Sequence, residues 1–342
     1  MKITEALHYF QGPYPKMRAA MRGYRPDNDR SHDSFPTMVQ VQTINACNAA
    51  CVMCPYGRTP DSQTGGRMED SLWTKIIDEI AEQKNVDTFI PMLQDEPFLD
   101  AQILEKVRVF KEKTKGRVRV ELVTHGGLLT PETIEMICHS PLDTITISMD
   151  SIHREAYEKI RVGLNYDVVM GNIMRLIEAR PKTKIAVRMV RQVLNRNEVE
   201  EFVAFWRTHG VDAMVWDVGN RSGAVQQFEG IKVPRENAWW YAMVSNLLLE
   251  VFAPHCPVPF YIANILHNGD VLACGFDWLH ESVVGNVRTQ TIAEVWNSEK
   301  MREMRRLHYE KRGEEIDMCK RCSIWQKTWA PKGALQNEEV IK

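Results

Sequence analysis

No apolar run in this chain approaches the ~20 residues that a membrane-spanning helix needs. Charge of one sign is not in excess either: 43 Lys and Arg stand against 45 Asp and Glu, a formal net charge of −2. The first absence argues against a helical membrane protein. The second removes the electrostatic basis for gripping nucleic acid or an anionic membrane surface. The opening Met1-Lys2-Ile3-Thr4-Glu5-Ala6 lacks the hydrophobic segment of a secretion signal, so a cytoplasmic protein is expected. Internal repeats and low-complexity segments are also missing. What is present is 342 residues, 44% hydrophobic and 26% charged. That suits a soluble globular protein with one large or two ordinary domains.

Residues 1–36 are polar and rich in proline, a short N-terminal extension with room for one helix. From there strand-like and helix-like segments alternate. Strands are expected at 38–44, 86–92, 117–124, 143–149, 184–190 and 212–218. Amphipathic helices are expected at 69–83, 100–114, 131–138, 153–179 (interrupted near 161–166) and 197–209. Six βα-type units imply parallel strands with right-handed crossovers, an α/β fold that suits a partial (β/α)6, TIM-like barrel over residues 37–235. Chemistry in such barrels gathers at the C-terminal strand ends. Residues 236–330 read differently, as a small α+β subdomain. It contains a Trp239-Trp240-Tyr241 helix, a β-hairpin around Asn268-Gly269 with an expected type I′ turn, and one helix over about 291–311. Residues 331–342 form a tail.

The eight cysteines group as three early, four late and one alone. Without an export signal, metal ligation is a better expectation than disulfides. Cys47, Cys51 and Cys54 stand in a C-x3-C-x2-C run just past the first strand. That spacing can wrap three thiolates around a cubic [4Fe–4S] cluster and leave the fourth iron open. A zinc site awaiting a fourth ligand is the alternative. The run and its place resemble the signature of the radical S-adenosylmethionine (SAM) enzymes, in which SAM itself chelates the open iron. The resemblance spans roughly residues 37–325 and implies the same partial barrel.

It also implies candidate SAM contacts. Met53 stands where the family often has an aromatic residue against the adenine, with Tyr56 nearby. Gln94-Asp95-Glu96-Pro97 is similar to a Gly-Gly-Glu-Pro segment that holds the SAM amino group, with both glycines replaced. Ser148 and Asp150 match a Ser-x-Asp strand end whose side chains reach SAM. Tyr157–Gly163 resembles a Tyr-x-x-Ile-Arg-x-Gly stretch, making Arg161 a candidate clamp for the SAM carboxylate, in competition with Arg188 and Arg191. His125, Arg188, Asp217, Asn220 and Arg221 lie where strand ends would line the mouth, with roles that sequence leaves open. His125 has a structural reading of equal weight.

Cys256-x17-Cys274-x44-Cys319-x2-Cys322 is the second cysteine set. It resembles the SPASM/twitch modules of the family in a shorter, single-cluster form. Four thiolates saturate an auxiliary [4Fe–4S] cluster; a structural Zn(Cys)4 site fits the same count. Cys138, late in a helix before strand four, is expected to be a buried small hydrophobe.

The resemblance implies an electron donor such as flavodoxin or ferredoxin, and reductive cleavage of SAM to a 5′-deoxyadenosyl radical that abstracts a hydrogen from the substrate. No side-chain nucleophile motif competes with that chemistry. The leading expectation is a dehydrogenase for a small polar metabolite of sugar, aminocyclitol or nucleoside type, with the auxiliary cluster accepting the electron. Redox-neutral epimerisation, decarboxylation or C–C coupling, peptide maturation, and a non-catalytic metal-stabilised binding protein are the alternatives. Substrate, reductant and oligomeric state are not legible.

Overall fold

The computed structural model describes residues 35–59, 65–233 and 256–323. Most of the N-terminal extension, the 239–241 segment and the tail fall outside them.

Nine strands form one open sheet in the order β6-β5-β4-β3-β2-β1-β7-β8-β9. They are β1 (Met38–Val41), β2 (Thr88–Ile90), β3 (Arg119–Thr124), β4 (Thr144–Ser148), β5 (Lys184–Arg191), β6 (Asp212–Asp217), β7 (Ile262–Ile265), β8 (Asp270–Leu272) and β9 (Val283–Asn286). The first six pair in parallel, each with its sequence neighbour, as the βα alternation demands. Their helices are α1 (Asp70–Glu82), α2 (Ile103–Lys113), α3 (Pro131–His139), α4 (Arg154–Ile160), α5 (Tyr166–Glu178) and α6 (Val199–Thr208). The break expected near 161–166 separates α4 from α5. Asn165 starts the second helix by accepting a hydrogen bond from the Val168 N–H at 3.0 Å. Among the described residues no helix is long and apolar enough to cross a membrane.

Each helix turns one apolar stripe to the sheet. In α1, Leu72, Trp73, Ile76, Ile77 and Ile80 are buried, the helical period written in side chains. Phe89 of β2 lies between two helices. Its ring stacks on Phe110 of α2 at 4.1 Å and meets Trp73 of α1 at 5.7 Å. This main core runs without a break into the C-terminal region, where Ile265, Val271, Ile292, Val295 and Trp296 join it.

β7 pairs in parallel with β1, Val39 opposite Ala263, so the barrel sheet continues into the β7–β8–β9 meander. Two expectations are corrected in this region, the first at the β7–β8 hairpin. Its turn is not type I′, which needs positive φ at both central residues. Leu266 and Asp270 close a three-residue loop, the Gly269 N–H donates to the Leu266 carbonyl at 2.9 Å, and only Gly269 has positive φ, at 92°. That is a type I turn with a glycine bulge. The helix expected over 291–311 is two, α8 (Ile292–Trp296) and α9 (Glu299–Tyr309), preceded by the short α7 (Phe228–Ile231) and followed by α10 (Asp317–Lys320). Ser298 breaks it by taking an extended conformation and capping α9 through the Met301 N–H. A serine prefers that competition with the backbone to a place mid-helix.

Phe89→Ala is expected to lower the unfolding free energy by about 3–5 kcal/mol, the range for emptying an aromatic core site. Thermal or urea denaturation of the SAM-free protein checks this; a loss below 1 kcal/mol would mean the two helices close over the gap.

Candidate active site at the barrel mouth

Every early candidate lies at the C-terminal strand ends. The loop after β1 carries Cys47, Cys51 and Cys54 and is held from two sides. Its Ala50 and Val52 N–H groups donate to Val162 and Ile160 carbonyls at 2.8 and 3.0 Å, tying it to the end of α4. On the other side, His125 reaches Asn48 Oδ1 through Nε2 at 2.8 Å. The Gly127 N–H donates to His125 Nδ1, so Nε2 carries the ring proton. Burial, with help from Arg161, holds this histidine down to about 4, so it is neutral across physiological pH. His125 is thus a strut for the cysteine loop. Sequence reasoning missed its partner Asn48, although that residue sits inside the cysteine motif.

Burial raises the Cys47 thiol to about 12 and pushes Cys54 up as well, with Cys51 adding to the latter effect. Thiols crowded in an apolar cradle resist ionising together unless cations sit among them. The donor set therefore fits an iron–sulfur corner site. The late set repeats the pattern. Cys256, Cys274, Cys319 and Cys322 pack as one small cluster with Met318, Val258 and Phe276. Burial lifts Cys256 to about 12 and raises Cys274 and Cys319 further. All seven are free thiols. Among the described residues no three His, Cys, Asp or Glu side chains close on a single-ion point; cubane ligands surround a cube instead.

The acidic segment after β2 divides its work in a way the sequence did not reveal. Glu96 is 2% exposed, and both its oxygens are engaged. Oε1 accepts from Thr124 Oγ1 at 2.7 Å and the Phe98 N–H at 3.3 Å; Oε2 accepts from the His125 N–H at 2.9 Å. It ties the β2 and β3 ends together. Gln94 turns its side chain to the C-terminal region, donating to the Asp277 carbonyl at 3.0 Å and meeting His280 at 3.0 Å. Asp95 is the one left with capacity. Its Oδ1 accepts from the Leu93 N–H at 2.8 Å, while Oδ2 is buried without a partner. Burial holds this carboxyl well above the usual range.

Asp150 is fully buried at the end of β4, close past Ser148, which is also buried. Its oxygens accept from the Val190 N–H at 2.6 Å and Arg161 Nε at 2.5 Å. Another Arg161 nitrogen lies 3.5 Å from Cys51 Sγ. Arg161 therefore anchors the cysteine loop to the strand ends instead of standing free for a carboxylate. Arg191 and Asp217 pair with each other at 2.8 Å. Arg188 lies over the Trp216 ring at 4.7 Å, with its Nε buried and unpartnered, and burial lowers it to about 10. Met53 is 4% exposed and packs with Cys51, Ile160 and Val218; Tyr56 is half-buried with its hydroxyl on the Asn45 carbonyl at 3.3 Å. Cys138, expected to be buried, is half-buried on α3, near the helix end, and packs against the main core.

Asp95 and Arg188, an acid and a base at the mouth, each keep a buried polar atom without a partner. An α-amino acid presents the complementary pair, an ammonium and a carboxylate, so the residues present fit the methionine part of SAM.

Burial pushes the Glu96 carboxyl up to about 7 from an ordinary 4.5. Between those values the native state binds a proton that the unfolded chain does not. This group thus lowers stability as pH rises through that window, by about 3 kcal/mol in all. Glu96→Gln is expected to flatten that slope in urea titrations of the SAM-free protein between pH 4.5 and 7; an unchanged slope would relocate the proton.

Residues 41–205 match the model of the radical SAM superfamily, and residues 256–323 match the SPASM iron–sulfur cluster-binding domain. The chain is 21% identical over 291 residues to a SAM-dependent 2-deoxy-scyllo-inosamine dehydrogenase from Niallia circulans, covering 85% of this chain and 94% of that one. It is 22% identical to an AdoMet-dependent heme synthase from Methanosarcina barkeri, covering 79% and 85%. Among solved structures, BtrN in complex with AdoMet and 2-DOIA superposes with a TM-score of 0.57 at 18% identity, covering 85% and 94%. Streptococcus suis SuiB bound to its precursor peptide SuiA superposes with a TM-score of 0.64 at 16% identity, covering 89% and 72%. These structures share the fold of a partial, TIM-like barrel. By its two family matches, the chain belongs to the radical SAM superfamily, works with SAM and a [4Fe–4S] cluster, and carries a SPASM-type domain for an auxiliary iron–sulfur cluster.

Proposed function

We propose that this enzyme oxidises an alcohol carbon of a small polar metabolite, of sugar, aminocyclitol or nucleoside type, to a ketone. The observation that carries this reading is the saturated late thiol set beside the barrel mouth. Four thiols ligate all four irons of a cubane, which leaves no iron for the substrate and makes electron acceptance the remaining use. Similarity to a dehydrogenase over 94% of that protein's length supports it. The place of Cys138 supports it as well. Radical epimerisation needs a thiol to return a hydrogen, and this one packs on α3 against the core, away from the strand ends.

The residues divide the work as follows. Cys47, Cys51 and Cys54 would hold the first cluster, and Cys256, Cys274, Cys319 and Cys322 would hold the auxiliary one. When bound, the clusters and SAM would supply a hydrogen-abstracting radical and an acceptor for one electron, and the hydroxyl proton of the alcohol would leave to solvent. Asp95 receives the SAM ammonium and Arg188 its carboxylate. His125, Glu96, Asp150 and Arg161 hold the cysteine loop against the strand ends, so that SAM meets a fixed geometry. Gln94 ties the loop after β2 to the auxiliary domain, and Met53, inside the cysteine loop, packs with Ile160 and Val218. A soluble donor such as flavodoxin or ferredoxin supplies the reducing electron, consistent with a cytoplasmic enzyme.

Anaerobic iron and sulfide analysis comes first: about eight irons in the wild type and about four in the Cys47→Ala/Cys51→Ala/Cys54→Ala protein are expected. Only the wild type should form 5′-deoxyadenosine. A panel of sugars, aminocyclitols and nucleosides should then yield a ketone in one-to-one ratio with 5′-deoxyadenosine. Isomerised or decarboxylated product without net oxidation would sink the dehydrogenase reading. Separately, Asp95→Asn is expected to weaken SAM binding at least tenfold, the scale of one buried charge-assisted hydrogen bond. Equal affinity in calorimetry would return the ammonium to backbone oxygens.

A further inference from the structure

One short segment touches both thiol sets. Val218, 2% exposed at the end of β6, packs with Cys51, Met53 and Cys54. Two residues later Asn220 grips the chain on either side of Cys322. Its N–H donates to Ser323 Oγ at 2.9 Å, its Oδ1 accepts from the Ser323 N–H at 2.9 Å, and its Nδ2 donates to the Arg321 carbonyl at 2.6 Å. From Val218 to Arg221 a fully extended chain reaches only about 10–11 Å. The two sets are therefore bridged by three residues.

Arg221 closes that bridge in a conformation few side chains accept. It and Ser222 both have positive φ, 50° and 54°. Its guanidinium lies 4.9 Å from the Phe276 ring centre. Phe276 in turn donates its N–H to Cys274 Sγ at 3.4 Å. Arg221 is half-buried and sits within electrostatic reach of thiols of both sets, Cys54 from the early one and Cys322 and Cys274 from the late one. No carboxylate pairs with it among the described residues.

We propose that Arg221 is a counter-cation shared by the two iron–sulfur clusters, holding the reduction potential of each above the value its thiolates alone would set. Reduction adds negative charge to a cluster, and a fixed nearby cation in a water-poor site favours the more negative state. The strained backbone and the aromatic ring beneath the guanidinium fix the cation in place, which a free surface arginine would not need. In this enzyme Arg221 is a positioning residue. The inference rests on the two-cluster reading and is independent of the substrate.

The test uses the intact chain, wild type and Cys47→Ala/Cys51→Ala/Cys54→Ala, each with Arg221→Gln and with Arg221→Lys. Midpoint potentials are read by EPR-monitored titration after iron analysis. Arg221→Gln is expected to lower the potential of both clusters at full iron content, and Arg221→Lys to keep them near the wild-type values. An unchanged potential at either cluster in Arg221→Gln overturns the shared role. Fewer than about eight irons in the wild type overturns it together with the two-cluster reading. Should Arg221→Gln lose its irons, Phe276→Leu, which frees the guanidinium from its ring, is titrated in its place. A lowered late-cluster potential there supports the proposal, and an unchanged one overturns it.

Discussion

Thiols packed where water cannot solvate thiolates are the constraint from which the rest of this structure follows. Burial raises Cys47 and Cys54 in the early set and Cys256, Cys274 and Cys319 in the late one, and neighbouring thiols in each set add to the effect. Such a group is stable as neutral thiols or as ligands around cations, and unstable as bare anions. The apolar cradle of Cys51, Met53, Ile160 and Val218, and that of Met318 and Phe276, favour the ligated form by excluding the solvent that would otherwise compete.

Holding a loop with no regular structure against six strand ends needs fixed partners, and the mouth supplies them with charged and polar side chains. Glu96, His125, Asp150 and Arg161 all have their hydrogen-bonding capacity turned toward backbone or toward neighbouring side chains. Each is buried or nearly so, where a missing partner is costly. The groups with capacity left over are therefore few and informative. Asp95 Oδ2 and Arg188 Nε are among the buried polar atoms left without a partner.

The C-terminal region is joined to the barrel at many places, among them β7 on β1, Gln94 on the 275–280 loop, and Asn220 on the chain around Cys322. A hydrogen-bonded strand pair and two side-chain clamps make relative movement of the two thiol sets costly. That rigidity suits a pair of redox centres, whose coupling depends on a constant separation and a constant field.

The sequence by itself determined what local pattern and chemistry can carry. The helical stripe of α1, the six βα units, the break near 161–166 and the two cysteine spacings were all legible, because each depends on residues close in the chain. Where a local rule met a competing partner, it failed. Asn268-Gly269 reads as a two-residue turn, yet pairing with β9 and β1 sets a three-residue loop; Ser298 reads as helix interior, yet caps α9. The site divided in the same way. Residue types named the candidates, but nothing local separates Asp95 from Glu96, or Arg188 from Arg161. Only the tertiary structure decided which charged groups are satisfied and which are free, because hydrogen-bond satisfaction depends on partners 28, 29 and 110 positions away in sequence.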